Sequence, residues 1–292
     1  MIKIHSDVEK HLSIVFVIAV SLFVFEFVGG ILSNSLALIA DSFHVMLDFV
    51  AIGISLVAFR IAKKKHTSAL TFGFHRVEII AAFVNGISLV ATSVFIIIEA
   101  NKRFFEPPEI DTIILIIFAS VGLVTNIIMA KRLEKHSHSN LNVHGSYLHV
   151  LGDLLSSIGV IVGAVIMMLS NNFIVDVVVS IGIALVILRS GIILCKKCIH
   201  IFMEGTPEEI KVSDVTKDLL NIEEIIEVHD LHVWTLTSNL FSMTVHIKIK
   251  QEALQQPDKI LKKINHRMNE KFGITHCTVQ IESEHGLMDL DD

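Results

Sequence analysis

Three long stretches of this chain contain no Lys, Arg, Asp or Glu: Ile79 to Ile98, Thr112 to Ala130 and Leu154 to Val175. Each is close to the ~20 residues that a helix needs to cross the hydrocarbon core of a bilayer. Inside lipid the backbone has no water to bond, so an isolated apolar run of this length must be helical. Of the 292 residues 52% are hydrophobic and only 18% charged, against roughly a quarter charged in soluble domains. The first apolar run starts at Leu12 and has no small-residue cleavage pattern after it, so it reads as a span and not as a removed leader. Six spans are predicted, over 12–32, 36–60, 77–100, 111–131, 144–169 and 173–191. The third should stop at Pro107-Pro108, since neither residue continues a helix. Asn171-Asn172 makes the tight turn before the sixth.

Basic residues set the expected orientation. Lys3 and Lys10 precede the first span, and Arg60, Lys63, Lys64, Lys65 and Arg76 lie between the second and third. Lys131, Arg132 and Lys135 follow the fourth, and Lys196 and Lys197 follow the sixth. The opposite loops offer Lys102 and Arg103, offset by Glu106, Glu109 and Asp111. The positive-inside rule then puts both termini in the cytoplasm, and at the cell membrane if the source is prokaryotic.

After Gly205-Thr206-Pro207 the texture changes. Residues 208–220 read as an amphipathic helix starting at Pro207, 225–236 and 240–249 as strands around Ser238-Asn239, 257–271 as a helix and Thr275 to Ile281 as a strand. The order αββαβ predicts a small α+β domain with its helices on one face of a sheet. The expected division is an N-terminal arm over 1–11, a transport domain over 12–203 and a cytoplasmic metal-binding and dimerisation domain over 204–292. That last part carries 17 acidic and 9 basic residues. With no basic patch to neutralise phosphates, nucleic acid is excluded as a partner.

Ionisable residues inside a membrane are costly and mark function. The second span carries Asp41, His44 and Asp48, spaced by three and four residues and so on one helical stripe. The fifth carries His149 and Asp153, again four apart. Two imidazoles and two carboxylates suit a tetrahedral, borderline-soft ion such as Zn2+ better than Mg2+ or Ca2+, which favour oxygen cages. A lone His-x-x-x-Asp can be a buried hydrogen-bonded pair; two copies on separate spans point to ligands. Glu26, Glu99 and Asp176 are expected near the hydrated ends of their spans, and Asn34 and Asn126 as links between helices.

Loop histidines (His66, His75, His136, His138, His144) are either solvated or a weak collecting site. In the tail, His229, His232, His246 and Glu282 lie in three strand segments. On a regular strand His229 and His232 would point to opposite faces and could not serve one site. Cys195, Cys198 and Cys277 make no disulfide framework, and a lone C-x-x-C cannot close a four-thiolate zinc site.

The run Ser33-Asn34-Ser35-Leu36-Ala37-Leu38-Ile39-Ala40-Asp41-Ser42-Phe43-His44 to Asp48 resembles the cation diffusion facilitator family. So do Phe74-His75-Arg76-Val77-Glu78, His144 to Asp153, Glu204-Gly205-Thr206-Pro207 and His229-Asp230-Leu231-His232-Val233-Trp234, in order along nearly the whole chain. The resemblance implies a homodimeric metal/proton antiporter with a copper-chaperone-like cytoplasmic domain. It implies a transport site at His44, Asp48, His149 and Asp153 and a cytoplasmic zinc site at His229, His246 and Glu282. Family members preferring manganese show Asp-x-x-x-Asp in place of His-x-x-x-Asp. A loop site in the family uses an Asp/His cluster, for which this chain offers only His66 and His75.

The function expected is therefore Zn2+ export, with Cd2+ and Co2+ as secondary substrates, in exchange for protons by alternating access. Two other classes compete. A zinc-dependent intramembrane hydrolase needs an open coordination position, and four ligands close the shell without H-E-x-x-H or a separate base. A metal sensor would bind without transporting.

Overall fold

The computed structural model describes the backbone of residues 20–62, 64, 66–137, 141–237 and 240–283, and their side chains except at 52, 55, 56, 59, 132–137 and 141–149. Six helices come first. They are α1 (Val20–Ser33), then α2 (Leu36–Ala62), α3 (Val77–Phe105), α4 (Thr112–Ser137), α5 (Leu141–Ser170) and α6 (Ile174–Phe202). There follow α7 (Val212–Leu220), β1 (Ile225–Thr237), β2 (Leu240–Ile249), α8 (Pro257–Phe272) and β3 (Ile274–Ser283). The chain forms two compact units, one of Met1–Val57 with Val84–Cys195, the other of Ala58–Phe83 with Lys196–Asp292.

In the first unit, α3, α6, the Thr112–Lys131 part of α4 and the Val150–Ser170 part of α5 are long and apolar enough to cross a membrane. The protein is a multi-pass membrane protein. Leu38, Ile96, Leu115, Met167 and Ile187, one from each of α2 to α6, are fully buried in one core. Ile113, Ile117, Leu169 and Val178 are exposed apolar side chains, the surface that lipid requires.

Two polar pins set helix positions here. Asp176, at the start of α6, accepts hydrogen bonds from the Ser35 hydroxyl (2.5 Å) and the Leu36 amide (2.7 Å), capping the N-terminus of α2. A carboxylate satisfies amides that a helix start leaves open and complements its dipole. Asp176 is 1% exposed, so the expectation of a hydrated position is overturned: it is used up by α2. Asn34 takes the left-handed conformation (φ 60°) in the α1–α2 turn, and its carbonyl accepts from Arg103 at 2.7 Å. Its side-chain amide donates to the Glu109 carbonyl at 3.4 Å, so Asn34 ties the α1–α2 turn to the α3–α4 connection, in a conformation that asparagine tolerates. Asn126 does link helices, donating to Ser157 of α5 at 3.2 Å. Glu99 lies in the last two turns of α3, within salt-bridge distance of Lys102 (3.2 Å) and Arg103 (3.5 Å).

α6 runs to Phe202, well past the expected end at 191. Lys196 and Lys197 are good helix formers, so leaving lipid gave the chain no reason to stop. The stop comes at Glu204 (φ 58°), after which the Gly205 amide returns to the His200 carbonyl at 2.9 Å. A Cβ at Gly205 would lie 2.2 Å from the His200 ring, so only glycine fits there.

In the second unit the order αββαβ is present, but α7 begins at Val212 and not at Pro207. Pro207 instead closes a single turn, with the Ile210 amide on its carbonyl. The sheet has the order β1-β2-β3, β1 and β2 antiparallel, β2 and β3 parallel with α8 in the crossover. Met243, Val245, Ile247 and Ile249 alternate into a core shared with Val215 and Leu219 of α7 and Ile260, Ile264 and Met268 of α8. By the two-residue period, Thr244, His246 and Lys248 face the other side. Asp218 of α7 clamps α8 through Arg267 (2.8 Å) and Lys271.

Candidate metal centres

The described residues hold two clusters of three metal-capable side chains whose donor atoms all lie within 4.8 Å of one another. One is His44, Asp48 and Asp153; the other is His229, His246 and Glu282.

In the first cluster, α2 presents His44 and Asp48 one turn apart, and α5 presents Asp153 across from them. His44 Nε2 lies 3.1 Å from Asp153 Oδ1 and 3.8 Å from Asp48 Oδ2. All three line a cavity of about 710 Å³ whose other walls include Leu89, Gly159 and Ile183. Such a space is far larger than a bare ion, so metal could enter with part of its water and lose it on the ligands. Asp41, third on the same stripe of α2, is turned away. It accepts from Ser156 Oγ at 2.5 Å and is buried, so it holds α2 to α5. His149 lies on α5 one turn before Asp153, and its side chain is outside the described residues, as are those of His136 and His144, while His138 is outside them altogether.

The second cluster stands on the sheet face opposite the core. Register puts His229 beside His246 across β1 and β2, and Glu282 reaches them from β3. His229 Nε2 is 3.3 Å from Glu282 Oε2, and His246 Nδ1 is 3.3 Å from Glu282 Oε1. The far nitrogen of His229, Nδ1, is buried with no hydrogen-bond partner among the described residues. Two imidazoles and a carboxylate converging in this way make a donor set that fits zinc with one position left over.

His232 corrects the sequence reading. His229 pairs with His246, but His232 pairs with Thr244, three steps on β1 against two on β2. The extra residue is a bulge, with Asp230 at φ 46°, and it returns His232 to the face of His229. His232 Nε2 then lies 2.7 Å from Asp230 Oδ1, while Asp230 Oδ2 is 3.5 Å from His246. The hydrogen bond to His232 holds the Asp230 carboxyl below its usual range.

His66 and His75 line a cavity of about 510 Å³ together with His276, but neither belongs to a cluster of three ligands among the described residues. None of the three cysteines is in a disulfide. Burial pushes the Cys277 thiol up to about 11, so it is protonated at neutral pH and no ready metal ligand. Cys198 is buried as well.

A helical membrane bundle with one cluster of metal-capable side chains, joined to a small sheet domain with another, is the arrangement of a metal-handling membrane protein. Residues 12–203 match the family described as the cation efflux transmembrane domain, and residues 207–284 match the cation efflux protein cytoplasmic domain. The chain belongs to the cation efflux family, whose members are transporters and not enzymes. It is 39% identical to the cadmium, cobalt and zinc/H(+)-K(+) antiporter of Bacillus subtilis over 94% of this chain and 89% of that one. It is 37% identical to the zinc transporter ZitB of Pectobacterium atrosepticum over 95% of this chain and 88% of that one. The metal-bound C-terminal domain of the CzcD transporter from Cupriavidus metallidurans is 34% identical, covering 25% of this chain and 99% of that domain, with a TM-score of 0.24.

Proposed function

We propose that the chain exports Zn2+, with Cd2+ and Co2+ as secondary substrates, from the cytoplasm in exchange for protons by alternating access. The observation that carries this reading is the convergence of His44, Asp48 and Asp153 from two helices on one membrane cavity. His149, one turn before Asp153 in the sequence, would supply the fourth ligand of a tetrahedral shell. Relatives named for zinc, cadmium and cobalt support the substrate class.

The transport domain of this reading spans 12–203 with six membrane crossings, after a cytoplasmic arm over 1–11, and the domain over 204–292 dimerises in the cytoplasm. Two carboxylates with neutral histidines carry −2, which one divalent cation cancels. Metal can bind only to deprotonated ligands, so its arrival expels protons, and protons arriving from the far side expel metal. α2 and α5 hold the ion between them and must move together to change the side to which it is open. The cytoplasmic-domain ligands His229, His246 and Glu282 would hold a resident Zn2+ that ties the three strands together. A loop site at His66 and His75 would be a collecting site.

In vesicles containing the purified protein, an imposed pH gradient is expected to drive zinc accumulation, with proton movement in the opposite sense. Repeating the assay with and without potassium separates proton exchange from the combined exchange in the name of the Bacillus relative. Zinc binding with no uptake under any gradient would leave a sensor instead.

The ligand set also predicts selectivity. His44→Asp gives the site a third hard oxygen donor, so zinc should lose ground to manganese. Competition transport is expected to show the zinc preference reduced by about tenfold, or ~1.4 kcal/mol. An unchanged preference would move selectivity elsewhere.

A further inference from the structure

Glu26 of α1 is the one ionisable residue between Val20 and Ser33, and it is not at a wet end of its helix: it is 1% exposed. The contacts of α1 with α2 fix its depth. Phe23 meets Phe49 (5.9 Å between centroids), Phe27 meets Phe43 (5.7 Å), and Gly30 meets Ile39. The two helices run antiparallel, and Glu26 lies level with His44, at the depth of the transport cluster. On its other side is α4, where a Cβ at Gly122 would stand 2.1 Å from Glu26 Oε1. That glycine makes the room the carboxyl occupies. Oε2 is buried with no hydrogen-bond partner among the described residues.

No cation faces this carboxyl from α4, which has no ionisable residue between Thr112 and Ala130. The titratable groups that act on it are Asp41 and His44 of α2 and Asp153 of α5. A carboxylate without a counter-ion at this depth is unstable in the ionised form while the nearby site is empty and negative. A divalent cation in that site cancels its negative charge and so favours ionisation.

We propose that Glu26 is a proton-binding site of the transport cycle, separate from the metal ligands and coupled to them through the field of the ion. The proposal rests on the antiport reading above. As metal enters from the cytoplasm, the Glu26 O–H bond breaks and its proton goes to cytoplasmic water, leaving the carboxylate. After metal leaves on the other side, the carboxylate takes a proton from the water there. Each cycle thus carries a proton that no metal ligand has to release.

The test counts protons. Zinc is added to purified full-length protein in weak buffer with a pH-sensitive dye, and protons released are divided by zinc bound. Glu26→Gln, which keeps the shape but cannot ionise, is expected to release fewer protons per zinc than the unaltered protein, by up to one. Glu26→Asp should recover the release. The same ratio measured during vesicle transport should fall in step. Equal release from the unaltered protein and Glu26→Gln overturns the role of Glu26 alone. Loss of zinc binding in both variants also overturns it, in favour of packing between α1 and α4. If the unaltered protein itself releases no protons, the antiport reading falls, and Glu26 with it.

Discussion

Asp48→Asn and Asp153→Asn are each expected to abolish zinc transport while expression and dimer formation stay normal. Either change lowers the formal charge of the site from −2 to −1. An amide oxygen is a far poorer zinc ligand than a carboxylate and takes up no proton at working pH. Removing a mere outer-shell partner of a metal site costs about 10- to 100-fold; loss of a ligand should exceed that, so transport should fall by on the order of 100-fold or more. The geometry makes the test selective, because Asp153 lies 3.1 Å from His44 Nε2 and Asp48 lies 3.8 Å from it. A purely structural role would give the opposite pattern, since a buried neutral Asn is easier to hold in lipid than an Asp. Near-normal zinc flux in one variant removes that carboxylate from the site, and near-normal flux in both sinks the transport reading.

The second large effect is expected in the cytoplasmic part. Its core is built from residues between Ile210 and Ile281, so the fragment 204–292 carries the apolar contacts it needs to fold. With zinc at about a hundred times its dissociation constant, the folded state gains about 2.7 kcal/mol. For a domain of this size that raises the melting temperature by roughly 10–20 °C. The gain should vanish in the variant with His229, His246 and Glu282 all changed to Ala. Equal melting of the unaltered fragment with and without zinc would leave the three as ordinary sheet residues. A partial gain in the triple variant would point to Asp230, 3.5 Å from His246, and to His232, which bonds to Asp230.

Much of this was legible in the sequence, for a local reason. Residues four apart on a helix share a face wherever the helix sits, so the His44–Asp48 pair and the place of Asp153 one turn beyond His149 needed no knowledge of packing. The apolar runs announced the membrane helices because lipid imposes length and hydrophobicity residue by residue. The alternation in β2 separated the core face from the face that carries His246 in the same way. The weakest readings were element ends, at Phe202, where the turn at Glu204 and Gly205 decided, and at Val212, where a separate turn at Pro207 delayed the start.

What the sequence determined by itself is the class of the protein: helices that must be in lipid, with imidazoles and carboxylates at helical spacing inside them. The tertiary structure alone decided how the remaining polar groups were used. Asp41, on the same stripe as His44, was taken up by Ser156 because α5 packs on that side. Asp176 capped a helix that starts about 140 positions earlier in the chain. The bulge at Asp230 depended on strand pairing, and the burial of Glu26 on a glycine of α4. The physical reason is common to all four. A polar side chain in a low-dielectric interior must take whatever partner packing offers, and that partner comes from a part of the chain whose distance in sequence says nothing about its distance in space.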